Sequence, residues 1–155
     1  MKNKLLLFIL AFTMTSYYVK AQIVNIPDTN FKNALIGHTP VIDINGDGEI
    51  QQTEATSFSG QLNIAYKNIV SLVGIEAFSN INGLYAVSNE VLSCDLSNNL
   101  SLELIDFGLN PITTLDVYDL NNLQELYLDL GWLGALNSLT LPQNSTLETL
   151  YLSDT

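Results

Sequence analysis

From Leu62 onward the chain repeats one apolar template, and that repeat limits the possible folds more than any other feature. Ile81, Leu84 and Ala86 are followed by Asn89, and Leu102, Ile105 and Phe107 by Asn110. The pattern returns as Leu123, Leu126, Leu128 with Gly131 in the Asn position, and as Leu147, Leu150, Leu152 with Thr155 there. The copies start 21, 21 and 24 residues apart. A weaker copy lies between them: Val91, Cys94, Leu96, Asn99; then Ile112, Leu115, Val117, Leu120; then Leu136, Leu139, Leu141, Asn144. Each coil therefore carries two short extended segments, one on each side, with no long helix between. Alternation such as Leu126-Tyr127-Leu128 gives a half-buried strand. One such strand cannot bury its apolar face alone, but stacked coils share a continuous core.

The expected fold is mainly β with short helices: a solenoid of 21-residue nested repeats following L-x-x-L-x-L-x-x-N, the leucine-rich repeat template. The Asn after each strand is expected to bond backbone groups at the bend, where ladder partners run out. On the first side only Asn89 and Asn110 keep it, with Lys67, Gly131 and Thr155 elsewhere. Ahead of these coils Ile69, Leu72, Ile75, Phe78 and Ile81 recur every three residues, which suits a 3₁₀-like crossover. The third coil has extra residues around Gly131-Trp132-Leu133-Gly134, expected as a loop on one side. Trp132 is there either a lid over the core or an exposed anchor.

The N-terminus reads as an export signal. Lys2 and Lys4 precede an apolar run from Leu5 to Met14, and Val19-Lys20-Ala21 is an acceptable cleavage site. The run is well short of the ~20 residues a bilayer span needs, and no second run of spanning length follows. Residues 1–21 are therefore expected to be a signal peptide, 22–60 a small helical cap, and 61–155 the solenoid. The formal charge is −11, from 16 Asp+Glu against 5 Lys+Arg, and all five are Lys. After cleavage Lys32 and Lys67 would face all 16 acids, leaving −14. Nucleic acid is a poor partner for such a chain, because phosphate neutralisation needs clustered cations. Hydrophobic residues at 47% against 14% charged residues demand a packed core rather than an acidic disordered chain.

The cap carries the most specific local motif. Asp28 can cap a helix bearing Phe31, Ala34 and Leu35. Then Asp43 to Glu54, DINGDGEIQQTE, fits the loop pattern D-x-[DN]-x-[DN]-G-x₅-E. Asp43, Asn45 and Asp47 would offer oxygens at loop positions one, three and five, and Glu49 its backbone carbonyl at seven. Gln51 could hold a water, and Glu54 would close the site with two oxygens. Ile50 points to the core, and Gly48 sits where the turn favours positive φ. Such hard oxygen donors suit a structural Ca²⁺; the alternative is a polar Asx/Gly turn.

The stretches Ile26-Pro27-Asp28-Thr29-Asn30-Phe31-Lys32, Asp43 to Ala55, and Gly74-Ile75-Glu76-Ala77-Phe78-Ser79-Asn80 carry a family resemblance. With the 21-residue repeats they resemble secreted leucine-rich repeat proteins of Bacteroidetes-type bacteria over essentially all of residues 23–155. The resemblance implies a solenoid whose cap bears a calcium-like loop, exported and often attached to the cell surface. It implies partner binding rather than catalysis. The chain stops at Thr155 directly after a strand, so a longer parent protein is expected; a short paralogue is the alternative.

Among candidate sites, the outward residues of the first-side strands form a column: Asn63, Tyr85, Asp106, Tyr127, Tyr151. Tyr85, Asp106, Tyr127 and Tyr151 among acidic neighbours could bind an extracellular protein or glycan; the alternative is a solvated sheet. Asp95, Asp116 and Thr140 on the second side read as solubilising. His38 has no Ser or Cys partner motif, and Cys94 occupies a buried Leu-equivalent position. Asn99-Leu100-Ser101 and Asn144-Ser145-Thr146 are glycosylation sequons in form only. The expected function is an exported binding module with no catalytic residues. A structural spacer, or the non-catalytic part of a larger surface protein or enzyme, is the alternative.

Overall fold

The computed structural model describes residues 22–129, 136–144 and 146–153. Two short helices come first, α1 (Thr29–Ile36) and α2 (Gln52–Ser57). Seven strands follow: β1 (Gly60–Asn63), β2 (Ile81–Tyr85), β3 (Leu104–Asp106), β4 (Thr114–Asp116), β5 (Glu125–Asp129), β6 (Ser138–Thr140) and β7 (Thr149–Ser153). The three-residue spacing ahead of β2 forms a 3₁₀ turn over Ile75–Ala77. The signal segment, Gly131, Trp132 and Thr155 lie outside the described residues.

Strands of consecutive coils pair in parallel, in the order β1-β2-β3-β5-β7. Parallel neighbours need a long crossover, and the other side of each coil provides it. The repeat sets the register: Leu62, Leu84, Ile105, Leu126 and Leu150 lie side by side. The second-side pattern yields β4 and β6, paired through Leu115 and Leu139. The segment around Cys94 forms no strand, so the second sheet begins one coil later than expected.

The core is the stack of template positions. Ile81, Leu84, Ala86, Leu102, Ile105, Phe107, Leu123, Leu126 and Leu128 are all fully buried. Each such Leu or Ile contributes on the order of 2 kcal/mol against leaving it in water. Cys94 departs from expectation: it packs against the core but stays only partly covered. In the last coil Leu150 and Leu152 are 40% and 51% exposed.

The Asn ladder works through both ends of the amide. Asn89 Oδ1 accepts from the N–H groups of Lys67 (3.1 Å) and Ile69 (3.0 Å), while Nδ2 donates to the carbonyls of Ile64 and Ala86. Asn110 repeats this one coil on, accepting from Val91 N and donating to Ala86 O and Phe107 O. A bend that would leave these groups buried and unpaired is thereby satisfied. Asn99 does a related job on the second side, donating to Ile75 O and Phe78 O. It is fully buried, so the Asn99 sequon presents no accessible amide. Just past the strands Tyr66, Ser88 and Leu109 share a left-handed backbone, with φ of 58°, 54° and 55°.

One carboxylate both caps α1 and ties the cap to the first coil. Asp28 Oδ1 accepts from Asn30 N (2.8 Å) and Phe31 N (3.0 Å), capping α1. Oδ2 accepts from Val70 N (2.8 Å) and Ser71 N (3.0 Å), some forty residues later. Partial burial raises its pKa, but the four N–H groups outweigh this and hold the carboxyl below its usual range.

Candidate functional site: a tyrosine face and an acidic loop

The five-stranded sheet turns columns of side chains outward. The middle column is Asn63, Tyr85, Asp106, Tyr127 and Tyr151, each the direct register partner of the next. Beside it run Gln61, Gly83, Leu104, Glu125 and Thr149. Strands alternate faces, so burying Leu84, Ile105, Leu126 and their equivalents forces the middle column outward.

The column is only partly rigid. The Tyr127 hydroxyl donates to Glu125 Oε2 at 2.7 Å. That bond, then burial and the charges of Glu125 and Asp106, raise the phenol pKa above its ordinary value. The rings of Tyr127 and Tyr151 lie 6.4 Å apart, tilted by 41°. The Tyr85 ring leans over Gly83, where a Cβ would sit 3.4 Å from Cε2. Asp106 Oδ1 accepts from Gly108 N at 2.9 Å, which fixes the carboxylate between the two tyrosine strands. Tyr151 is half exposed.

The acidic loop folds on itself. Gly46 and Gly48 take φ of +69° and +78°. Asp43 accepts from Gly46 N (2.8 Å) and Gly48 N (3.0 Å), Asn45 Oδ1 from Asp47 N, and Asp47 Oδ1 from Glu49 N. Glu54 reaches back to the N–H groups of Ile44 (2.9 Å) and Gln51 (2.9 Å). Ile50 is fully buried, and its carbonyl accepts from Val24 N at 2.8 Å. The Ile23–Gln51 bridge therefore clips the loop to the start of the described chain. Asp43 and Glu54 are buried, while Lys32 pairs instead with Glu49 at 2.6 Å.

Backbone and donor chemistry fit a hard divalent cation, since every donor in the set is oxygen. The side chains are arranged differently. Asn45 Nδ2 donates to Asp47 Oδ2 and Gln51 Oε1, and Gln51 Nε2 donates to both Asp47 oxygens. The Glu49 N–H and then the Gln51 amide hold the Asp47 carboxyl below its usual range. Among the described residues no three His, Cys, Asp or Glu side chains are grouped to hold a metal. The Asn45 and Gln51 amide N–H groups thus engage the Asp47 and Gln51 oxygens, which would have to be released for a cation to use them.

His38 carries a role with no sequence signal. Nδ1 lies 2.9 Å from Pro40 O and Nε2 3.1 Å from Asn63 N, so the ring donates through Nδ1–H and accepts at Nε2. It stands edge-on to Phe58 at 5.2 Å and closes the outer edge of β1. Both nitrogens are thus engaged in structure. Cys94 lies between two shallow hollows on the second side. Burial, and secondarily Asp95, push its thiol up to about 12, so it stays protonated and unreactive at neutral pH.

No protein-family model matches the chain, and no curated protein matches it. Solved structures do. The functional domain of InlJ from Listeria monocytogenes, which includes a cysteine ladder, is similar with a TM-score of 0.64 and 26% identity, over 84% of this chain. Internalin C2 from the same species is similar with a TM-score of 0.54 and 20% identity, covering 88% of this chain and 70% of that one. Internalin InlF, also from that species, gives 0.50 and 19%, covering 90% and 47%. The chain spans 28% of the length of the InlJ structure. Repeat period, parallel in-register sheet and these likenesses agree: the fold is the leucine-rich repeat solenoid of the internalin structures.

Proposed function

We propose that this chain is an exported leucine-rich repeat binding module, of the Bacteroidetes-type surface proteins it resembles, and not an enzyme. Its ligand is an extracellular protein or glycan held on the strand face. The observation that carries this reading is the in-register column of Tyr85, Asp106, Tyr127 and Tyr151. Three aromatic side chains on a sheet face offer large, stiff contact area with little entropy to lose on binding. The fold shared with internalin structures supports a surface-protein setting, and no helix among the described residues is long and apolar enough to cross a membrane. The test is an array of extracellular proteins and glycans probed with the full chain and with its Tyr85/Tyr127/Tyr151→Ala variant. Capture that the triple variant loses supports the reading; capture that it keeps, or none, counts against it.

The same reading gives Ca²⁺ a structural part at Asp43, Asn45, Asp47, Glu54 and the Glu49 carbonyl, as a staple for a cap formed by residues 22–60. Its support is the loop's backbone course and its two buried carboxylates, neither of which has a cationic side chain beside it among the described residues. Calcium would add charge neutralisation there, and the Asn45 and Gln51 amides would turn their oxygens inward. The melting temperature should rise with millimolar Ca²⁺, and Asp43→Ala should abolish the rise. Identical melting curves with Ca²⁺ and with chelator would sink the idea.

A further inference from the structure

Residues 68–155 contain eleven Asp and Glu and no Lys or Arg. From β2 onward the coils thus supply no cation to answer the carboxylates of the tyrosine face; Lys67, in the bend after β1, is the one cation of the coil stack. The single ion pair among the described residues, Lys32 with Glu49, lies in the acidic loop. The middle column has a particular order, aromatic, carboxylate, aromatic: Tyr85 on β2, Asp106 on β3 and Tyr127 on β5. Adjacent strands stand ~4.8 Å apart, so the two aromatic positions are ~10 Å apart with Asp106 midway. A long cationic side chain seated on the carboxylate would lie between two aromatic strand positions, and its stem could run along either ring.

The carboxylate at the centre of the face keeps one oxygen available. Gly83 lets the Gln61 and Tyr85 side chains close over the strand, and Gly108 lets the Asp106 carboxylate approach the backbone; a side chain at either position would crowd them. Asp106 Oδ1 is held by Gly108 N, and Oδ2 accepts no hydrogen bond among the described residues. Glu125 is fixed beside the site by its bond from Tyr127, adding negative potential without moving. A planar guanidinium can bond a carboxylate while stacking on an aromatic face, and it brings the positive charge that a neutral sugar lacks.

We infer that the strand face takes a protein partner through an arginine or lysine side chain seated on Asp106 between Tyr85 and Tyr127. This rests on the binding-face reading above and names the chemistry of the partner. The partner is an exposed basic segment, drawn in by the acidic coils and selected by this site. Charge alone would bind such a segment anywhere on the solenoid; the aromatic flanks place it here.

The test uses the full chain and a hexa-arginine peptide, with hexa-glutamate as control, followed by titration calorimetry and by the ring resonances of Tyr85 and Tyr127. Asp106→Asn should weaken hexa-arginine binding at least tenfold, and Tyr85→Ala severalfold. Asp116→Asn removes the same charge on the second side and should change binding less than twofold. Both tyrosine ring signals should shift on addition of the peptide to the unaltered chain. Equal losses from Asp106→Asn and Asp116→Asn would show diffuse attraction and overturn the proposal, as would unmoved tyrosine signals or no binding. Matching melting temperatures of the two Asn variants keep the comparison sound. If array capture depends on the tyrosines but tolerates Asp106→Asn, a neutral protein or glycan occupies the face, and only the cationic partner is overturned. If the peptide binds at Asp106 while no array partner does, the proposal stands and the broader reading has failed its own test.

Discussion

Asp28 shows how much one side chain can organise. Its two oxygens serve four backbone N–H groups in two distant segments. Asp28→Ala should cost about 1 kcal/mol for the helix cap and about as much again for the lost link to Val70 and Ser71. Chemical denaturation of the two proteins reads this directly, and an unchanged midpoint would contradict the assigned role. Asp28→Asn is informative too, because it keeps shape and removes charge. The folded carboxyl titrates below its unfolded value, so its contribution is complete above the unfolded pKa and fades as pH falls through the folded one. The stability gap between the unaltered chain and the Asp28→Asn variant should therefore shrink as pH drops below about 4. The helix cap was legible from Pro27-Asp28 ahead of an apolar periodicity; the second pair of bonds was not, because nothing local records a partner so far along the chain. His38 was opaque for the same reason: its partners, Asn63 and Phe58, meet it only through the fold.

At the scale of elements, the strand and its bend form the repeating unit. The 21-residue period made the first sheet legible down to its register, because equal spacing stacks equivalent residues side by side. The second sheet was less legible. Its apolar template is weaker, and around Cys94 it buries side chains without forming a ladder. The bend itself rests on Asn110, whose amide holds Val91 N, Ala86 O and Phe107 O within the core. Asn110→Ala removes the partner of Val91 N and Phe107 O, while Ala86 O keeps its bond from Asn89, and should destabilise by about 3 kcal/mol. Leu109 next to it is a contrary case: it is half exposed and left-handed, a conformation that costs a non-glycine residue ~1 kcal/mol. Asn tolerates that backbone better, so Leu109→Asn should stabilise by about 0.5 kcal/mol. Thermal melts of the two variants should move in opposite directions; a loss of stability in Leu109→Asn would show that its side chain packs more than its exposure implies.

For the whole molecule, charge and core act against each other. A formal charge of −11, with one ion pair among the described residues, makes self-repulsion a standing cost of the compact state. Raising NaCl from about 10 mM to about 150 mM shortens the screening length from ~30 Å to ~8 Å, so the melting temperature should rise. A fall would mean that ion pairing, not repulsion, dominates. The same acidity made nucleic acid a poor partner from the start, and the apolar period identified the solenoid. The proposed binding face was legible as an ordered column of outward residues, because the repeat fixes which positions stack. The close packing of Tyr85 over Gly83 and the Tyr127–Glu125 bond became visible only once coils stacked. Binding at that face is the central claim. The most direct measurement is capture from an array of extracellular proteins and glycans by the full chain, by Tyr85/Tyr127/Tyr151→Ala, and by a second-side control, Tyr118→Ala. A binding face predicts capture by the unaltered chain and the control, and its loss in the triple variant at unchanged melting temperature. Capture retained by the triple variant, or lost only in the control, would contradict it.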